Sequence, residues 1–105
     1  MPEQFTDANF SEQVERSPTL TIVDFWGEGC APCRALAPVL EQLAAENGSS
    51  VRVVKLKVED SPKTATRYGV RGVPTMLFLK NGETKEMLVG FRNKAAIQKV
   101  IDAHK

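Results

Sequence analysis

The sequence predicts an α/β fold, a central mixed β-sheet with helices on both faces, and three observations carry that prediction. Leu20–Trp26 is a nearly continuous run of strand formers, as expected for a strand covered on both sides. A helical pattern follows it directly, with Leu36, Leu40 and Leu43 recurring along one face and Val39 beside them. Strand and helix signals then alternate until Asn81-Gly82, a two-residue hairpin signal that sends the next strand back antiparallel.

Taken in order, Thr6–Val14 is expected to be a short helix. Thr6 is its cap, Phe10 and Val14 lie four apart on one face, and Ser17-Pro18 ends it. The strand Leu20–Trp26 comes next. The long helix begins at Cys30-Ala31-Pro32-Cys33 and runs to about Asn47, where Gly48 supplies a stop; Pro38, inside it, removes a backbone hydrogen bond and is expected to kink the axis. Val51–Val58 is a second strand. Ser61 then caps a short helix that has Pro62 at its first position and closes at Gly69. Gly72-Val73-Pro74 leads into a third strand, Thr75–Leu79, and Thr84–Val89 returns beside it. Asn93 caps a last helix striped by Ala96, Ile97, Val100 and Ile101. This reading contains four strands and four helices.

Residues 1–105 are expected to form one domain, with 42% hydrophobic and 26% charged residues, long enough to bury a core without cross-links. Lys and Arg number 14 against 13 Asp and Glu, so no strong field steers the chain to nucleic acid or an anionic membrane. No apolar run approaches spanning length, and Met1–Phe5 lacks the apolar core of a signal peptide. A cytoplasmic monomer is the expectation. In that reducing compartment a Cys-x-x-Cys pair reads as redox or metal chemistry rather than as framework.

Cys30 and Cys33 are the only cysteines. At i and i+3 in the first turn of a helix they lie on nearly one face, within disulfide reach. The bond closes so small a ring that its chain-entropy stabilisation is only about 2 kcal/mol, a poor staple but a workable switch. Cys30, at the helix end, gains from unpaired N–H groups and the helix dipole and is the expected nucleophile; Cys33, one turn deeper, is the expected resolving thiol. Two inert structural thiols are the competing reading. A closed zinc site needs four ligands and only His104, far along the chain, could join the two cysteines, so neither metal nor cofactor is expected. Asp24 is the odd residue of its apolar strand: either an edge carboxylate facing water or a buried one with a raised pKa. Lys55 alone reads as a solvated strand lysine, and Trp26 as core packing. Gly72 and Gly90 read as turn glycines, and the Val73–Pro74 bond as trans on the ordinary preference of X–Pro bonds.

Over essentially its full length the chain resembles the thioredoxin family. The matching residues are Val23-Asp24-Phe25-Trp26 before the Cys-x-x-Cys, Pro38 after it, Lys55, Tyr68-Gly69-Val70-Arg71-Gly72-Val73-Pro74-Thr75, Lys80-Asn81-Gly82 and Gly90. The resemblance implies a thioredoxin-like fold, a five-stranded mixed sheet flanked by four helices, with the missing strand a short one near Glu3–Phe5. It implies reversible dithiol–disulfide exchange, with electrons arriving from a thioredoxin reductase and leaving to protein disulfides, Cys30 attacking and Cys33 resolving. It makes Asp24 a buried proton-transfer group with Lys55 as its electrostatic partner. It implies a cis Pro74 facing the cysteines, with Val73 pairing to an extended substrate. Trp26 would lie under the active-site loop, with Gly72 and Gly90 in the flat surface around it.

The chain departs from the family's usual Trp-Cys-Gly-Pro-Cys. Gly29 removes an exposed indole, and Ala31, beside Pro32, adds a methyl that stiffens the turn, so partner range and reduction potential are the properties affected. The leading expectation is a protein-disulfide reductase. A specialised relative with a dedicated reductase or narrow client set, and a redox-independent binding module using the surface around Val73 and Gly90, are the alternatives.

Overall fold

The computed structural model describes residues 3–105. A five-stranded sheet has the order β1-β3-β2-β4-β5, with β1 at Glu3–Gln4, β2 at Leu20–Trp26, β3 at Val51–Lys57, β4 at Thr75–Lys80 and β5 at Glu83–Val89. β3 runs parallel to β1 and β2, while β4 runs antiparallel to β2 and β5, so the sheet is mixed. The helices are a one-turn π-helical segment at Ser11–Glu15, α1 at Ala31–Asn47, α2 at Pro62–Arg67 and α3 at Lys94–His104. This is the thioredoxin-like arrangement, including the two-residue β1 that no alternation of residues announces.

Period-2 alternation splits the core in two. Leu20 and Ile22 of β2, Val51 and Val53 of β3, and Met76 and Phe78 of β4 face one side, packing with Leu36, Leu40 and Leu43 of α1 and Ile97 and Ile101 of α3. Val23, Phe25, Val54, Leu56, Leu77 and Leu79 face the other side, packing with Phe10, Val14 and Ala65. β2 is therefore buried on both faces, as its unbroken apolar run requires. Continuing the alternation puts Asp24 and Trp26 of β2, with Lys55 and Lys57 of β3, on the α1 side.

Local signals were partly right. Asn93 caps α3, its Oδ1 accepting from Ala96 N–H at 2.9 Å. Asn81 and Gly82 both take positive φ, 54° and 75°, the conformation a tight two-residue hairpin demands. α1 is continuous through Pro38. The expected Thr6–Val14 helix is corrected in extent: the helical segment is Ser11–Glu15, preceded by a turn that Thr6 opens, its carbonyl accepting from Phe10 N–H at 3.1 Å and its Oγ1 from Ala8 N–H at 3.4 Å while Asn9 Oδ1 accepts from Thr6 N–H at 3.0 Å. Phe10 and Val14 are nonetheless both buried. Ser61 is no side-chain cap for α2; its hydroxyl is buried without a partner. Asp7, distant in sequence, does that work, accepting from Lys63 N–H at 3.1 Å and from Thr64 N–H and Oγ1–H at 2.8 and 2.6 Å.

Candidate active site

The ends of β2, β3 and β5 and the start of β4 fall at one end of the sheet, where Trp26 pairs in register with Lys57, Phe25 with Thr75, and Thr75 with Val89. The loop from Gly27 to Cys30 leaves β2 here and enters α1. Cys30 is the N-cap of α1, in extended conformation, with Ala31 and Pro32 exposed in the first turn. A disulfide joins Cys30 to Cys33, with Cα atoms 5.2 Å apart. The sulfur of Cys30 also accepts the Cys33 N–H at 3.2 Å, so it caps the helix as a Ser or Asp oxygen would. No acidic residue stands in that first turn to oppose a thiolate. Cys33 is buried, whereas Cys30 is partly exposed.

Gly29, just before the pair, has φ +66°, and a Cβ built there would meet nothing within 4 Å. Glycine is used for its backbone conformation, in an otherwise open position.

Val73–Pro74 is cis, correcting the trans expectation from ordinary X–Pro preference and agreeing with the resemblance. The loop lies against the cysteine loop: a Cβ at Gly27 would come 3.4 Å from Val73 Cγ2. Gly72 O accepts from Thr75 Oγ1–H at 2.7 Å, and Gly90 N–H donates to Pro74 O at 2.8 Å. Gly72 and Gly90 thus flank Pro74, Gly90 at φ +89°.

Asp24 is 1% exposed and neither carboxylate oxygen has a hydrogen-bond partner. Burial pushes its pKa up from 3.8 to about 6, against the opposing pull of the Lys55 ammonium 4.0 Å away. Lys55 stands across the register from this carboxylate and keeps part of its side chain exposed, at 22%. A cleft of about 190 Å³ is lined by Trp26, Gly29, Cys33, Arg34, Ala37 and Lys55, with Gly27 and Glu28 completing its wall. It brings the second cysteine and the cation beside Asp24 into one space.

Lys57, Glu28 and Glu59 were not singled out from the sequence. Lys57 pairs with Glu28, and Glu59 Oε2 accepts from Glu28 N–H at 3.0 Å, which ties the loop before Cys30 to the end of β3. Lys55 and Lys57 place their ammonium groups 5.2 and 5.5 Å from the Trp26 ring, so Trp26 is a cation platform beneath the loop rather than plain core. The period of two from Lys55 to Lys57 was the available signal.

A disulfide-bonded cysteine pair at a helix N-terminus, a cis-proline loop whose Val73 lies against Gly27, and a buried carboxylate on the preceding strand accord with a dithiol–disulfide exchange centre. The thioredoxin family profile matches residues 1–103. The chain belongs to the thioredoxin family. It is 43% identical over 99 residues to a thioredoxin of Bacillus subtilis, covering 94% of this chain and 93% of that protein. To a Listeria monocytogenes thioredoxin it is 39% identical over 104 residues, covering 99% of each. A chloroplastic M-type thioredoxin of pea matches at 41% over 98 residues, covering 93% of this chain and 57% of that longer protein. Thioredoxins are protein-disulfide oxidoreductases, reduced in general by thioredoxin reductase, and the paired cysteines here accord with that chemistry. No helix among the described residues is long and apolar enough to cross a membrane.

Proposed function

We propose that this protein reduces disulfides of client proteins in the cytoplasm, as a monomeric single domain recharged by a thioredoxin reductase. The carrying observation is the helix-capping sulfur of Cys30 beside the buried Cys33. In the reduced protein the Cys30 thiolate accepts the same N–H and sits at the positive end of α1. It attacks one sulfur of the client disulfide, forming a mixed disulfide and expelling the other client sulfur as a thiolate. Cys33, deprotonated with Asp24 as proton acceptor, attacks Cys30 Sγ. The second client thiolate leaves, both client sulfurs take up protons, and the Cys30–Cys33 disulfide is restored. The client gains two electrons and the protein loses two; the reductase reverses this.

Lys55 tunes Asp24, and Val73 offers its backbone to an extended client beside Pro74, with Trp26, Gly29, Ala31, Pro32, Gly72 and Gly90 forming the contact surface. Insulin reduction coupled to a thioredoxin reductase tests the reading. Turbidity from precipitating insulin chains is expected with the native protein and none with Cys30→Ser. Equal activity in that variant contradicts the proposal.

A further inference from the structure

Beside Pro74 the surface has a chemical character that disulfide exchange by itself does not require. Val89 and Phe91, on either side of Gly90, are the exposed large hydrophobics among the described residues, at 60% and 43%. On the other flank Val58, Ala65, Val70 and Val73 line a hollow of about 200 Å³ with Arg71 and Gly72 at its edge. The segments that carry Pro74 and Gly90 hold charge of one sign, while the acids at the hollow, Glu59 and Asp60, follow Val58, and Glu59 is engaged by Glu28 N–H at 3.0 Å. Residues 62–82 contain Lys63, Arg67, Arg71 and Lys80 and no acid; residues 87–101 contain Arg92, Lys94 and Lys99 and no acid.

Two of these cations stand at the site without a carboxylate. Arg71, one residue before Gly72, is exposed and has no ion pair or side-chain hydrogen bond among the described residues. Arg92, two after Gly90, donates Nη1–H to Val89 O at 2.7 Å and Phe91 O at 3.1 Å, which fixes its guanidinium at the strand end. Its Nε and Nη2 donors have no partner among the described residues, leaving part of the fork free for a carboxylate. Arg92 Nη1 lies 3.6 Å from where a Cβ on residue 90 would stand, an ordinary contact, so glycine serves the backbone φ of +89° here rather than the arginine.

We propose that Arg71 and Arg92, with Phe91, Val89 and the hollow beside Val73, make this protein select disulfides carried on extended client segments in which an apolar residue next to the cysteine is flanked by acidic ones. This deepens the disulfide-reductase reading and rests on it. The apolar side chain is desolvated against Phe91 or in the hollow, while the carboxylates meet the two guanidiniums at the rim. Rim charges of this kind act on encounter and register, so the selection falls on the second-order rate constant and is sensitive to salt.

The test uses disulfide-linked homodimers of short peptides whose cysteine is flanked by Leu or Gly and then by Glu or Lys. Pre-reduced protein is mixed with each, and thiol release is followed in a single turnover. The Leu/Glu peptide is expected to react about tenfold faster than the Leu/Lys peptide at low salt, with the ratio falling toward one at high salt. Arg71→Glu, which breaks no bond in the fold, is expected to shrink the ratio, and Arg71→Glu/Arg92→Glu to invert it. Phe91→Ser is expected to reduce the advantage of Leu over Gly. Brisk reduction of all peptides at one rate, or a Glu preference that survives Arg71→Glu unchanged, overturns this proposal and leaves the reductase reading intact. No reduction of any peptide overturns both.

Discussion

Replacing Asp24 by alanine is expected to stabilise the oxidised protein by an amount that depends on pH. The carboxyl group is 1% exposed, without hydrogen bonds, and its pKa is raised from 3.8 to about 6. Because the folded pKa lies above the unfolded one, the folded state holds the proton more tightly between about pH 4 and pH 6. Stability therefore falls as pH rises through that window and stays low above it. At about 1.36 kcal/mol for each tenfold change in proton affinity, the full loss is about 3 kcal/mol. Alanine has no such titration, so the difference in unfolding free energy between variant and parent should grow by about 2 kcal/mol from pH 4 to pH 8, the rest of the full loss lying below pH 4. A constant cost for the small cavity offsets part of the gain at every pH. Urea denaturation of both oxidised proteins across that range measures it, and groups elsewhere cancel in the difference. If Asp24 also accepts the Cys33 proton, the same variant slows disulfide exchange. A stability difference flat with pH refutes the burial argument, and unchanged exchange rates refute the proton-transfer role.

Gly29→Trp is expected to lower the KM of a thioredoxin reductase suited to the usual Trp-Cys-Gly-Pro-Cys surface, recovering about 1–2 kcal/mol of contact. At φ +66° it also costs roughly 1–2 kcal/mol of stability, so steady-state kinetics must be read beside a Gly29→Ala control that carries the strain without the indole. Asp7→Ala removes three hydrogen bonds to the start of α2 and is expected to cost about 1–2 kcal/mol in denaturant titration, with disulfide exchange unaffected.

The features legible in the sequence are those encoded by neighbours along the chain. The buried β2, the stripe of α1, the Asn93 cap and the Asn81-Gly82 turn each rest on a local rule, and each stands in the structure. Asp7 capping α2 and Glu59 holding Glu28 N–H join residues far apart in sequence, so no local rule could pair them. β1 is two residues long, too short for alternation to register, and only its pairing with β3 defines it. At the site, the cysteine pair announced itself by spacing, whereas the residues alone left Asp24 open between core and water and read Lys55 as solvated. That Asp24 is buried rather than solvated, and that Val73–Pro74 is cis, came from family resemblance and not from the residues, because both depend on what packs over them.

The proposed disulfide exchange rests on a division of labour between the cysteines, with the helix-capping Cys30 attacking and the buried Cys33 resolving. Trapping tests it most directly. Reduced Cys33→Ser and Cys30→Ser proteins are each mixed with oxidised insulin, and the adducts are mapped by mass spectrometry of proteolytic fragments. A stable mixed disulfide is expected on Cys30 in Cys33→Ser, with little or none in Cys30→Ser. An adduct forming on Cys33 in Cys30→Ser as fast as the one on Cys30 would contradict it.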